Sequence, residues 1–273
     1  MKSQQEKGDA FRALHEREGA FIIPNPWDLG TARLLAQLGF EALATTGAGY
    51  AFSRGQRDGT LGRDRMMRHV EELAAATELP LSADLENGFG DDPEVIAETI
   101  RMGADRGLVG ASIEDFRYGR DDGLYEPSLA KERIQAAAEA AASLPFAFTL
   151  TARCENFLAG RPDLDDTIER LLAYQEAGAD VLYAPGLTSR EEIAAVANSV
   201  ERPVNVVMGL QGVSLSLSEL STLGVKRVSL GSTLSRVALG AFLRAGRELL
   251  EQGTFSFAQD AVAYPEINAM FES

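Results

Sequence analysis

A rhythm repeated eight times constrains this chain most. A short apolar run is followed by a polar or glycine-rich loop and then by a longer segment of helical periodicity. The apolar runs fall at 21–23, 42–45, 81–85, 108–113, 146–151, 181–183, 203–207 and 227–230. Helical segments follow near 27–38, 61–78, 93–106, 128–143, 164–178, 188–199, 215–223 and 232–252. Asp92-Pro93 and Pro127-Ser128 read as helix starts, and Gly103 and Gly178 sit where helices should end. An extra helix is expected over 3–17 and a short one near 257–263. Eight units is the number that closes a (β/α)8 TIM barrel. A doubly wound open sheet shares the local signals, but no G-x-G-x-x-G follows the first run. The expected fold is therefore an α/β barrel, with residues 1–273 forming one domain with an N-terminal helix and a C-terminal helical extension.

Charge and cysteine content limit the partners. With 26 basic and 41 acidic residues the net charge is −15, which disfavours nucleic acid and anionic membranes. An anionic substrate stays open, because a metal ion can reverse the local sign. Cys154 is the only cysteine, so no internal disulfide can form and a reducing, cytoplasmic location is expected. The charged stretch 1–17 lacks the apolar run of a signal peptide, and no apolar segment is long enough to span a membrane.

In a barrel the reactive residues lie just past the C-terminal ends of the strands. The second strand exits into Thr45-Thr46-Gly47-Ala48-Gly49 and then a long loop to Asp58. The third exits into Asp84-Leu85-Glu86, the fourth into Glu114-Asp115 and the fifth into Arg153, while the seventh contains Asn205. Asp84, Glu86 and Glu114 would face one mouth with no lysine at those exits. Carboxylates so close repel unless a proton or a cation intervenes. A hard divalent cation resolves the conflict, and Mg²⁺ suits few protein ligands and many waters. The plainer reading is that these acids cap helices or pair with Arg153. Arg153 has the planar fork of an anion clamp, or of a partner for Asp115 or Glu155. The small residues at 45–49 leave backbone amides open to a carboxylate or phosphate, or simply make room.

These residues also carry a resemblance. Thr46-Gly47-Ala48, Asp58, Ser82-Ala-Asp84-Leu-Glu86-Asn-Gly-Phe-Gly90, Ile113-Glu114-Asp115 and Thr151-Ala-Arg153 occur in order and at barrel spacing. Together they resemble the isocitrate lyase/phosphoenolpyruvate mutase superfamily over nearly the whole chain. The resemblance implies a barrel whose last helix is exchanged between subunits of a homodimer or homotetramer. It implies Mg²⁺, with Mn²⁺ as an alternative, held directly by Asp84 and largely through water by Glu86 and Glu114. Asp58 matches an acid near the metal that positions the reacting group. Thr46, Gly47 and Ala48 match the loop that receives a substrate carboxylate, Arg153 matches the substrate-binding arginine, and Asn205 matches an inner polar position. The implied chemistry makes or breaks a C–C or P–C bond beside the carbonyl of a 2-oxo acid, with Asp58, Glu114 and Arg153 as the catalytic set.

The chain departs from the pattern in two places. Isocitrate and methylisocitrate lyases carry a Lys-Arg-Cys-Gly-His loop after the fourth strand, whose cysteine is a general acid. Here residues 116–127 hold no Cys, Lys, His or Asn, and Glu86 replaces an aspartate. The loop suits a lid from which Arg117, Arg120 or Tyr125 could reach substrate. Cys154 reads as packing, His15 and His69 as surface residues, and Trp27 as packing at the barrel bottom or first helix. The expected activity is a Mg²⁺-dependent lyase or decarboxylase acting on a small 2-oxo or 2-hydroxy dicarboxylic acid through an enolate. A phosphonopyruvate-type mutase or P–C hydrolase, and a 2-oxo-acid-binding protein with reduced catalysis, are the alternatives.

Overall fold

The computed structural model describes residues 2–119, 123–209 and 213–272. Eight parallel strands form one sheet: β1 Phe21–Ile23, β2 Leu43–Ala44, β3 Leu81–Asp84, β4 Gly110–Glu114, β5 Thr149–Arg153, β6 Val181–Tyr183, β7 Val204–Val207 and β8 Val225–Ser229. Neighbours pair in sequence from β2 round to β8, and β8 pairs with β1. Helices alternate with them: α1 Gln4–Glu16, α2 Leu29–Gln37, α3 Gly47–Ser53, α4 Arg63–Ala76, α5 Pro93–Asp105, α6 Pro127–Ala142, α7 Leu164–Glu176, α8 Arg190–Ser199, α9 Leu217–Thr222, α10 Thr233–Glu251 and α11 Tyr264–Ala269. This is the expected (β/α)8 barrel.

The seam between β1 and β2 has no strand ladder and is closed at the strand exits. Ala44 N–H donates to Pro24 O at 3.1 Å. The Asn25 carboxamide donates to Thr45 O at 2.9 Å and accepts from Leu230 N–H at 2.8 Å, joining the exits of β2 and β8. An amide side chain has both a donor and an acceptor, so one residue can satisfy two loose backbone groups.

At the other end of the barrel, α1 acts as a plug. Its N-cap is a reciprocal Ser3–Glu6 box. Phe11 packs against Gly110, the first residue of β4; a Cβ at Gly110 would stand 2.7 Å from the Phe11 ring. Phe11, Leu14, Phe21, Ile23, Ala42 and Val109 form a small core there, separate from the large one between sheet and helices.

Three expectations are corrected. His15 and His69 are buried, not on the surface. His15 sits edge-on between Phe11 and Phe21 on the plug, and His69 stacks on Tyr50 with ring centroids 3.7 Å apart. Trp27 follows β1 and packs near Gly49 and Ser235 at the strand exits, the opposite end from the bottom. The segment after β2 is not all loop, because Thr46 caps the short helix α3 by accepting from Gly49 N–H. Boundaries moved too: β4 and β5 run on through Glu114 and Arg153, since charged residues that face the mouth still belong to the ladder. The tail forms a 3₁₀ turn at Ser256–Asp260 and then α11, rather than one helix near 257–263.

Helix α10 leaves its apolar side open. Val237, Phe242, Leu243 and Leu250 are more than half exposed, and Ser235 is its only buried residue. Among the described residues no helix is long and apolar enough to cross a membrane.

Candidate active site

The mouth is built on a ladder that sets charges side by side. Glu114 and Arg153 are register partners at the ends of β4 and β5, and Arg153 is in turn the register partner of Tyr183 on β6. Arg153 Nη1 donates to Asp84 Oδ1 at 3.0 Å and stands 3.1 Å from Glu114 Oε2, while Nη2 lies 2.8 Å from Glu155 Oε1. Its guanidinium rests 5.2 Å from the Tyr183 ring centroid. Burial works against the charge of Arg153, but Glu155, Glu114 and Asp84 outweigh it and hold the proton firmly. Arg153 faces the mouth and is paired there with acids, the expected Glu155 among them, while Asp115 pairs with Arg170 instead.

Asp84 is fixed from two sides. Its backbone N–H donates to Thr45 Oγ1 at 2.9 Å, and its Oδ2 faces Gly47 N–H at 3.4 Å. Gly47 is hemmed in by the acids: a Cβ there would stand 3.4 Å from Asp84 Oδ2, 3.7 Å from Glu86 Oε1 and 3.8 Å from Asp58 Oδ1. Glu86 adopts φ +49°, a strained value for a residue with a side chain, in the turn that leaves β3. Glu114 N–H donates to Glu86 O at 3.0 Å, which ties that turn to β4.

Five carboxylates, those of Asp58, Asp84, Glu86, Glu114 and Glu155, therefore surround one guanidinium. Burial, and then the charges of Asp84 and Asp58, push Glu86 up to about 7. Burial also raises Glu114 well above the usual carboxylate range, against the pull of Arg153. Asp58 is raised by burial and by Asp84. Glu86 Oε1 and both oxygens of Glu114 are buried without a hydrogen-bond partner; the Arg153–Glu114 approach is close but poorly aligned. Unpartnered buried carboxylate oxygens call for a proton or a cation.

Among the described residues no three Asp, Glu, His or Cys side chains already converge as a metal cage. The donor set still fits a hard cation that keeps most of its waters: one directly facing carboxylate, Asp84, with orphaned oxygens of Glu86 and Glu114 behind it.

Below the acids lies a cavity of about 60 Å³, lined among others by Asn25, Thr46, Asp84, Arg153, Asn205 and Arg227. It is far smaller than the ~300–1,000 Å³ of sites for drug-sized ligands, so it suits a small acid. Asn205 reaches this cavity, but both its polar ends are taken: Arg227 Nε donates to its Oδ1 at 2.9 Å and its Nδ2 donates to Ser229 Oγ at 3.0 Å. Arg227, which composition and spacing did not single out, is a buried cation held by neutral groups. Its Nη2 donates to Thr151 Oγ1 at 2.8 Å and Nη1 lies 3.4 Å from His15 Nε2. Burial lowers Arg227 to about 10, and burial with Arg227 lowers His15 to about 3, so the imidazole is neutral.

The 116–127 loop is organised differently from the expectation. Tyr125 is fully buried, gives its hydroxyl to Asp91 at 2.6 Å and accepts from Asn87 Nδ2 at 2.9 Å, so it does not face the mouth. Arg117 pairs with Asp91 and lies over the Tyr125 ring. Arg120 lies outside the described residues. Cys154 is buried in the main core, as expected. Asp115 is structural: it accepts from Glu155 N–H at 2.8 Å, from Tyr174 at 2.5 Å and from Arg170 at 3.2 Å.

An eight-stranded parallel barrel with an arginine-centred acidic mouth defines a class of barrel enzymes, and comparison narrows it. The family model described as phosphoenolpyruvate phosphomutase matches residues 11–250, and the chain belongs to that family, within the isocitrate lyase/PEP mutase superfamily. A solved chain from Burkholderia cenocepacia J2315, described as a lyase/mutase, is 63% identical with a TM-score of 0.96, over 99% of this chain and 97% of that one. A 2-methylisocitrate lyase of Halalkalibacterium halodurans is 30% identical over 262 residues, 93% of this chain and 85% of the relative. An oxaloacetate decarboxylase of Paraburkholderia xenovorans is 27% identical over 254 residues, 90% of this chain and 83% of the relative.

Proposed function

We propose that this chain is a Mg²⁺-dependent carbon–carbon lyase that cleaves or decarboxylates a small 2-oxo or 2-hydroxy dicarboxylic acid by way of an enolate. The observation that carries the reading is the excess of carboxylate around Arg153, with orphaned oxygens on Glu86 and Glu114. A lyase and a decarboxylase among the relatives support it.

Asp84 would hold the metal directly, and Glu86 and Glu114 would hold it largely through water; Mn²⁺ fits the same oxygens. Bound there, the ion would supply Lewis-acid stabilisation of negative charge developing on the substrate's oxygens. Arg153 would turn part of its fork from the acids to the substrate carboxylate, giving bidentate recognition. The amides of Gly47 and Ala48, with Thr46, would receive a carboxylate on the β2 side, and Asn205 would close the floor. Asp58 would position the reacting group from the rim.

The exposed apolar side of α10 supports exchange of this helix in a homodimer or homotetramer. Residues 1–273 would act as one barrel unit with its terminal extension, and the single buried thiol supports a cytoplasmic location.

A panel of 2-oxo and 2-hydroxy acids with Mg²⁺, read out for pyruvate, glyoxylate, CO₂ and phosphate, tests the reading. Release of a 2-oxo acid is the expected result, together with CO₂ from a 2-oxo substrate or with a second carboxylic acid from a 2-hydroxy substrate. Phosphate release or isomerisation of a phosphonate would favour the mutase or P–C hydrolase reading, which the description of the matching family model supports. Ligand binding without turnover would make the protein a 2-oxo-acid binder.

A further inference from the structure

Three acids share Arg153, but they do not hold the same part of it. A guanidinium has a side edge, made by Nε and Nη2, and an end edge, made by Nη1 and Nη2, and either edge can grip a carboxylate. Glu155 takes the side edge: Nε donates to its Oε1 at 2.9 Å, and Nη2 lies 2.8 Å from the same oxygen. Asp84 and Glu114 crowd onto Nη1 alone, at 3.0 and 3.1 Å. Glu155 is also anchored apart from the mouth. Its backbone N–H donates to Asp115 Oδ1 at 2.8 Å, and Asp115 Oδ2 accepts from Tyr174 and from Arg170 Nη1. Asp115 N–H donates to Arg153 O at 3.2 Å, and Cys154 N–H to Tyr183 O at 2.8 Å, so the backbone from 153 to 155 is pinned on both sides. Asp115, Glu155, Arg170 and Tyr174 are each 5% exposed or less. A buried carboxylate on a pinned backbone has little freedom to follow a moving partner, whereas a free arginine stem has many rotamers to lose.

We propose that Glu155 is the positioning residue for Arg153: it keeps the side edge of the guanidinium and leaves the end edge to the substrate carboxylate. The assignment deepens the lyase reading and rests on its use of Arg153 as the anion clamp. Asp84 and Glu114 are the acids that release Nη1 when substrate arrives, because a cation in the mouth gives their oxygens another partner. Glu155 stays in place. Without it the side edge has no acceptor, and the guanidinium is free to turn that edge toward Asp84 and Glu114 as well. An incoming carboxylate must then displace two acids from a side chain that it must also order.

Glu155→Ala removes the acceptor, while Glu155→Gln keeps a carboxamide oxygen able to accept the same two contacts. Neither change touches the backbone bond to Asp115, and circular dichroism checks the fold. Wild type and variants are titrated calorimetrically with Mg²⁺ alone, then with oxalate in saturating Mg²⁺. Oxalate joins two carboxylates directly and so imitates the enolate of a 2-oxo acid without reacting. The alanine variant should bind oxalate about tenfold more weakly, the scale of ordering one long side chain on binding. KM for any acid of the panel that is turned over should rise by the same factor. The glutamine variant should return oxalate binding to within about threefold of wild type, and Mg²⁺ alone should bind all three proteins alike. Unchanged oxalate binding in the alanine variant would overturn the assignment, and so would equal losses in both variants or a parallel loss of Mg²⁺ binding. A wild type that binds oxalate but turns over none of the acids would sink the lyase reading and leave the Glu155 assignment to stand on the variants' affinities. A wild type that does not bind oxalate would overturn Arg153 as the clamp, and the assignment with it.

Discussion

Glu114 and Arg153 are register partners on adjacent strands, and their charged atoms meet 3.1 Å apart at the barrel mouth. The β4–β5 ladder itself delivers the acid and the base to one place. Arg153 then shares its guanidinium with Asp84 and Glu155, so no carboxylate there has a counter-charge of its own.

Arg153→Ala should raise KM and lower kcat together, because substrate recognition and fixed positive potential leave at once. The expected fall in kcat is about 10²-fold, the scale of losing one oriented donor. It should also lower stability by roughly 3 kcal/mol, since buried acids lose their partner. Steady-state kinetics and urea unfolding check both; unaffected kinetics would remove Arg153 from the site.

Asp84→Ala should abolish Mg²⁺-dependent turnover while leaving the circular dichroism spectrum unchanged. Isothermal titration with Mg²⁺ should lose its heat in the variant. Retained activity would sink the metal assignment.

The pH dependence of stability follows from Glu86. Its carboxyl rises from 4.5 to about 7 on folding, so the folded state holds the proton more tightly than the unfolded chain. The stabilisation is complete below pH 4.5 and is lost as pH rises through about 7. At ~1.4 kcal/mol per unit, the loss amounts to about 3 kcal/mol. With a chelator present, unfolding free energy should fall between pH 5 and 8 by an amount on this order; Glu86→Gln should flatten the slope, and Mg²⁺ should restore stability at the high end. A flat profile in the chelated wild type would contradict the raised carboxyl.

If α10 is exchanged between subunits as proposed, Phe242→Asp with Leu250→Asp should leave a monomer, since each places a charge on the open side of α10. Light scattering coupled to size-exclusion chromatography would show a monomer. An unchanged oligomer would mean that α10 takes no part in the contact.

Much of the molecule was legible in the amino-acid pattern, for a physical reason. Strand exits in a barrel share one face, so Asp84, Glu114 and Arg153 could be placed together without coordinates. Asp58 and Glu86 also arrive near Gly47, within reach of Asp84. What stayed hidden depends on contacts between distant segments. His15 is buried because α1 plugs the barrel, which no helical periodicity reveals. Arg227 looks like a surface charge on an alternating strand, yet it points inward to Asn205 and Thr151. Tyr118 and Tyr125 are near neighbours in one polar loop, which folds back at Arg117 and Gly123; one ends exposed against Gly59 and the other in the core.

The Asn25 amide has a consequence for how substrate gets in. It is the clasp of the barrel: one of its hydrogen bonds crosses the β1–β2 gap, where the hoop of strands lacks a ladder, to Thr45, next to the Thr46 that would help receive the carboxylate, and the other holds Leu230 just past β8. Ala44 N–H to Pro24 O and the Asn25 amide to Thr45 O are what bridge the gap, beside the place proposed to admit the ligand. An acid seated on Thr46 would therefore rest one residue from the carbonyl by which the ring is held shut.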